Sequence, residues 1–177
     1  EKIYQDHKDI DLIINNAGIA HIKSFMDESE AEFNKVMDIN FNSLVVSTRF
    51  WINKFSQRRD CIVANMASMA GYISPSGMTS YSASKHAVVG FTESLRLECE
   101  ALEVPVKIIL ITPGFIDTDI MRIGEEGGPP DSFRRLTTTP EKAAKSIVKG
   151  ILRGDSLIIP DSGGKIMKQM NRWVPEV

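Results

Sequence analysis

Short, continuous apolar runs alternate along the chain with longer stretches in which apolar positions recur every three or four residues. Residues 11–15 (DLIIN), 61–65 (CIVAN), 106–112 (VKIILIT) and 156–159 (SLII) are the short runs. Their length and β-branched content suit strands buried on both faces of a parallel sheet, and Asn15-Asn16-Ala17-Gly18 ends the first of them in a loop. Over residues 29–57, Phe33, Val36, Met37, Leu44, Val45 and Phe55 keep helical spacing, and the polar interruption Asp38-Ile39-Asn40 predicts one long helix kinked at Asn40. Residues 80–103 repeat that periodicity, and Thr139-Pro140-Glu141 supplies an N-cap with proline at the first helical position, opening a helix that ends near Gly154. Strand and helix thus alternate throughout. Right-handed crossovers turn such an order into an α/β fold, a doubly wound parallel sheet with helices on both faces, in one domain spanning residues 1–177.

Composition narrows the setting. With 21 Lys+Arg against 23 Asp+Glu the formal charge is −2, and no run of like charges offers a footprint for nucleic acid. Cys61 and Cys99 lie among apolar residues without a CxxC or Cys/His spacing, which predicts buried free thiols, no metal site and a reducing compartment, the cytoplasm. No apolar stretch approaches the roughly 20 residues that cross a bilayer. The longest irregular segment is 115–138, rich in glycine and proline, and a segment of that length in a compact domain is expected to act as a lid over a small-molecule substrate. Its Phe115, Ile120, Met121, Ile123 and Phe133 predict an apolar or lipid-like ligand, with the lid's own packing as the plainer alternative.

Tyr81 and Lys85 stand four residues apart, on adjacent turns of one helix face. A phenol titrates near pH 10, and a neighbouring ammonium favours phenolate, bringing the group into a range useful for proton transfer. Ser68 follows the 61–65 run, at the carboxyl end of the sheet where open α/β folds bind ligands, so its hydroxyl can hold a carbonyl; the plainer reading is a serine in a turn. It precedes Tyr81 by thirteen residues, and the linking segment MAGYISPSGMTS is small and glycine-containing enough to let strand end and helix start approach. Asn40 is a poor helix former in mid-helix, which points to a kink or a buried hydrogen bond, against the alternative of a solvent-facing side chain.

Asn15-Asn16-Ala17-Gly18, Asn40, Ser68, the Tyr81/Lys85 pair and Pro113-Gly114-Phe115-Ile116-Asp117-Thr118 together resemble the classical short-chain dehydrogenase/reductase family, in its order and at its spacings. The resemblance implies a Rossmann-type fold and an oxidoreductase that moves a hydride between NAD or NADP and a carbonyl or secondary alcohol. It assigns Tyr81 the proton exchange, Ser68 the orientation of the substrate oxygen, Lys85 the lowering of the Tyr81 pKa and the nicotinamide ribose, and Asn40 a water in a proton relay. It places Asn15, Ala17 and Gly18 beside the adenosine side of the cofactor, and Pro113, Gly114, Ile116 and Thr118 beside the nicotinamide. Phe115 joins Ser68 and Tyr81 on the substrate side.

The family's subunits open with a glycine-rich turn that sets the pyrophosphate at a helix N-terminus. Glycines 18, 71, 114 and 124–128 do not form that fingerprint, and the first strand here corresponds to the family's fourth, so the resemblance covers the later part of a subunit. The expectation is a longer protein, because a buried parallel strand left without its neighbour invites aggregation. Three other readings compete: a non-catalytic dinucleotide-binding or scaffold protein, opposed by the intact Asn, Ser, Tyr and Lys set; an inactive truncated form; and a sugar-nucleotide epimerase, for which too little chain follows Thr118. The family also implies a homodimer or homotetramer through the two long helices. Phe50, Trp51, Phe55, Val88, Phe91, Leu95 and Leu102 are the apolar surplus expected to form that contact.

Overall fold

A computed structural model describes residues 2–118 and 136–173; the lid expected at 115–138 therefore lies largely outside the described residues, including Ile120, Met121, Ile123 and Phe133. Helix α1 (Lys2–Asp6) leads into β1 (Leu12–Asn15), followed by α2 (Glu30–Met37), a π-helical turn (Asp38–Asn42), α3 (Ser43–Phe55) and β2 (Cys61–Met66). A 3-10 turn (Met69–Gly71), α4 (Thr79–Ala101), β3 (Val106–Ile111), α5 (Pro140–Arg153), β4 (Leu157–Ile158) and α6 (Ser162–Trp173) complete the described order. The strands form one parallel sheet in the order β1-β2-β3-β4, with Asn15 level with Asn65 and Met66 level with Ile111.

The side-chain alternation of the central strands explains the two helical layers. Cys61, Val63, Val106 and Ile108 face α3 and α4, packing with Trp51, Phe55 and Cys99; Ala67 and Leu110 continue that face against Leu44, Val88 and Val89. The intervening Ala64, Ile109 and Ile111 lie on the opposite face together with Ile158 of β4, packed against Ile151 of α5. Both cysteines are free and buried. On β1, Leu12 and Ile14 are exposed.

Local chemistry sets the element ends. Ser29 and Glu32 form a reciprocal capping box at the start of α2, and the bonds from Ser29 and Lys23 hold the Glu32 carboxyl down at about 2. Thr139 caps α5, Pro140 occupies its first turn, and Gly154 ends it in the left-handed conformation (φ +80°) that glycine adopts without a Cβ penalty. Two elements had no strong signature: α1, whose Tyr4 ring meets Phe50 and Trp51 edge-on at 6.4 and 5.9 Å, and α6, whose Asp161-Ser162-Gly163-Gly164 start reads as a turn.

The apolar surplus of the long helices is distributed differently from the expectation. Trp51, Phe55 and Val88 are buried in the chain's own core, and Phe50, Phe91 and Leu95 pack against it, Phe91 stacking edge-on with Phe41 at 5.9 Å. What α3 and α4 leave exposed is Val46 and Leu97, with Leu102 just beyond α4. No helix among the described residues is long and apolar enough to cross a membrane.

Candidate active site

Helix α4 begins at the carboxyl end of β2 and β3, so its first two turns bring Tyr81 and Lys85 beside the segment that leaves β2 through Ser68. That segment is anchored from below by Ala67 N–H donating to Ile111 O and Met69 N–H donating to Pro113 O, both at 2.8 Å. Its 3-10 turn lies flat on α4, because a Cβ on Gly71 would come within 2.7 Å of both Lys85 O and Val89 Cγ2. Ser68 caps the turn by accepting from Ala70 N–H at 3.1 Å, which leaves its own proton available.

Tyr81 is buried, and burial pushes its phenol up from the ordinary tyrosine range; the Ser68 hydroxyl beside it acts in the opposite direction and is the smaller effect. Lys85 is 4% exposed, and loss of solvation pulls its ammonium down to about 8. Its Nζ lies 5.6 Å from the centre of the Tyr81 ring and donates to Met66 O at 3.0 Å. Lysine and tyrosine are thus neighbours, as expected, but the ammonium sits over the ring and bonds a carbonyl of the β2 end. Burial is the largest effect on the phenol.

Asn40 is 1% exposed, which excludes the solvent-facing alternative. The π-helical turn places its side chain against the loop after β1, where Oδ1 accepts from Ile19 N–H at 2.8 Å and Nδ2 donates to Ile19 O at 2.9 Å and Ser84 Oγ at 3.0 Å. Ser84 in turn donates to Tyr81 O at 2.7 Å. One buried asparagine therefore fixes the loop around Gly18 relative to the helix that carries Tyr81 and Lys85. A Cβ on Gly18 would lie 3.4 Å from Asn40 Oδ1 and 3.5 Å from Lys85 Nζ, ordinary contact distances that place Gly18 beside both side chains. At the rim, His21 pairs with Glu28, and its Nε2 lies 3.4 Å from Ser80 Oγ.

The remaining expected residues divide by what their groups already bond. The Asn15 side chain lies inside the fold, donating to Asn65 Oδ1 at 2.8 Å and Thr48 Oγ1 at 3.0 Å and accepting from Ser47 Oγ at 2.7 Å; it braces β1 against β2 and α3. Ala17 is exposed on the same loop. Pro113 holds the Ser68 segment through its carbonyl, and Gly114 N–H donates at 2.8 Å to Asp161, a residue the sequence reading passed over. Ile116 bridges to Thr138, with Thr138 N–H donating to Phe115 O and Asp117 N–H to Thr138 O, both at 3.0 Å; the Thr118 hydroxyl donates to Ile116 O at 3.4 Å. Phe115 and Thr118 are half-buried at this junction. Among the described residues no cluster of His, Cys, Asp or Glu is placed to hold a metal ion.

Comparison with known proteins bears on this arrangement. A family model for short chain dehydrogenases matches residues 1–126. SadH of Mycobacterium tuberculosis is 34% identical over 156 residues, covering 83% of this chain and 56% of SadH, so the chain spans little more than half the length of that relative. Among solved structures, a short chain dehydrogenase/reductase from Burkholderia phymatum in complex with NAD superposes with a TM-score of 0.83 at 22% identity, over 98% of this chain and 69% of that one. A short chain dehydrogenase from Burkholderia cenocepacia in complex with NADP gives a TM-score of 0.79, also at 22% identity, over 95% and 68%.

Proposed function

The chain belongs to the short chain dehydrogenase family, and from that premise we propose that its intact protein is an NAD- or NADP-dependent oxidoreductase acting on a carbonyl or secondary alcohol. The observation that carries the reading is the meeting of Tyr81, Lys85 and Ser68 at the carboxyl end of the sheet, with Gly18 beside the Lys85 ammonium.

The donor set fits a dinucleotide. A lysine ammonium has three N–H donors, and among the described residues Met66 O accepts one of those of Lys85, so the others suit ribose hydroxyls. The loop around Gly18 and the turn at Pro113, Gly114, Ile116 and Thr118 would flank the same ligand. The bound cofactor supplies or accepts the hydride. Tyr81 gives a proton to the substrate oxygen as it becomes a hydroxyl, and takes one back in the reverse direction. Ser68 donates a hydrogen bond to that oxygen, holding it beside Tyr81. Asn40 keeps loop and helix in register, and its water-holding role in proton supply remains part of the proposal.

Ile22, Phe25 and Met26 are exposed on the loop after Gly18, and with Phe115 they favour an apolar substrate under a lid at 115–138. The proposal includes self-association through α3 and α4, now resting on exposed Val46, Leu97 and Leu102, and a reducing, cytoplasmic setting consistent with two free buried thiols. The test is to incubate the intact protein with NADH or NADPH and a panel of short and long-chain ketones while following reduced nicotinamide. Consumption that requires the ketone supports the reading; no consumption with either nucleotide across the panel refutes it.

A further inference from the structure

Asp161 stands between β4 and α6 and is 4% exposed. Its Oδ1 accepts from Gly164 N–H at 2.7 Å, in the first turn of α6, and its Oδ2 accepts from Gly114 N–H at 2.8 Å, in the turn that follows β3. One carboxylate thus fastens two segments that no strand ladder joins. The last ladder bond nearby runs from Thr112 N–H to Ile158 O, so beyond it the Gly114 donor would otherwise have no partner from the sheet.

The contact is close enough to dictate residue types on both sides. A Cβ on Gly114 would fall 2.6 Å from Asp161 Oδ1 and 2.6 Å from Gly164 N, and a Cβ on Gly164 would fall 2.9 Å from Ile159 Cγ2. Gly163 sits against Leu136, where an added Cβ would lie 3.1 Å from both Leu136 Cβ and Leu136 O. The first turn of α6 therefore touches the chain before and after the segment 119–135. The base of that segment is closed by the Phe115, Asp117 and Thr138 backbone bonds. Since Pro113 O also accepts from Met69 N–H, next to Ser68, a shift of Gly114 is passed directly to the Ser68 turn.

We infer that Asp161 is a positioning residue for the nicotinamide end of the cofactor site: its carboxylate straps the Gly114 turn to α6 and so holds that turn where the cofactor is received. The inference rests on the proposed oxidoreductase function. It accounts for Gly114 differently from a cofactor contact, since the missing side chain makes room for Asp161 and Gly164.

Asp161→Ser separates the two bonds. Serine is a good helix N-cap and keeps the bond to Gly164 N–H, but its single short oxygen cannot also hold Gly114. In the intact protein, titration of NADH or NADPH by nicotinamide fluorescence should show Kd raised about tenfold, which corresponds to about 1.4 kcal/mol. Binding of ADP-ribose, which lacks the nicotinamide, should stay within about twofold, while the melting temperature falls by a few degrees because the Gly114 N–H loses its partner. Asp161→Asn, which places an amide donor against Gly114 N–H, should behave alike and serves if the serine variant fails to fold. Ile151→Val, a core residue of α5 that makes none of the Asp161 bonds, controls for lowered stability and should leave both affinities unchanged. Unchanged nicotinamide affinity in the folded Asp161 variants, or equal loss of nicotinamide and ADP-ribose binding, overturns the inference and leaves the proposed function standing. A wild-type protein that binds neither dinucleotide overturns both.

Discussion

Lys85→Met should make the protein inactive and more stable. A lysine pulled from 10.5 to about 8 on folding corresponds to about 3 kcal/mol of unfavourable desolvation, given about 1.4 kcal/mol per pKa unit. Methionine has a similar reach without the charge, so that loss disappears, while Met66 O forfeits its donor at a cost of about 1 to 2 kcal/mol. The net gain is about 1 to 2 kcal/mol, which in a domain of this size raises the melting temperature by a few degrees. The pH dependence gives a second signature. Because the folded pKa is the lower one, the unfolded chain binds more protons between about 8 and 10.5, and wild-type stability rises with pH across that window. The advantage of Lys85→Met should therefore be full below about pH 8 and shrink towards pH 10.5. Thermal melts of both ligand-free proteins across that range measure it. A wild-type protein that melts higher than the variant at neutral pH, or a difference constant through the window, refutes the reasoning that burial of the ammonium is the dominant effect.

Tyr81→Phe should lower turnover by about 10² to 10⁴, the usual contribution of a positioned proton donor, with dinucleotide Kd and melting temperature near wild type; steady-state kinetics showing turnover within a few-fold of wild type would remove Tyr81 from its role. Asn40→Ala strips Ile19 of both side-chain partners and leaves Ser84 without its donor, so a destabilisation of about 2 to 4 kcal/mol is expected in denaturant titration; a change below about 1 kcal/mol would show that water replaces the amide without loss. Gly71→Ala sets a methyl 2.7 Å from the Lys85 carbonyl oxygen and must move the Ser68 turn or α4, so stability should fall by about 1 to 3 kcal/mol and turnover should fall with it. Retained turnover in that variant would show that the spacing of Ser68 from Tyr81 tolerates such a shift.

Local order was legible in the sequence because each feature has a local cause. Continuous apolar runs at 61–65 and 106–112 predict strands covered on both faces, and those became β2 and β3 under α3 and α4 on one side and α5 on the other. Thr139, Pro140 and Gly154 mark the ends of α5 by backbone rules that need no partner. The helix-breaking character of Asn40 anticipated a departure from regular α geometry. The chemistry open to Tyr81 and Lys85 followed from residue type and spacing on one helix, and that of Ser68 from its place after the second strand and from the family resemblance.

Contacts between segments distant in sequence were decided only by the tertiary structure. Lys85 donates to Met66 O, and burial pushes the Tyr81 phenol up, outcomes that depend on what surrounds each group in three dimensions. Trp51, Phe55 and Val88 looked like surplus at the level of one helix and proved to be core once the sheet lay beneath them. Asp161 gave no distinctive signal, because an aspartate before two glycines reads as a turn until Gly114, brought from far upstream, occupies its second oxygen. Periodicity and capping act over a few residues and can be read along the chain, whereas burial and bonding across the sheet exist only after folding brings the segments together.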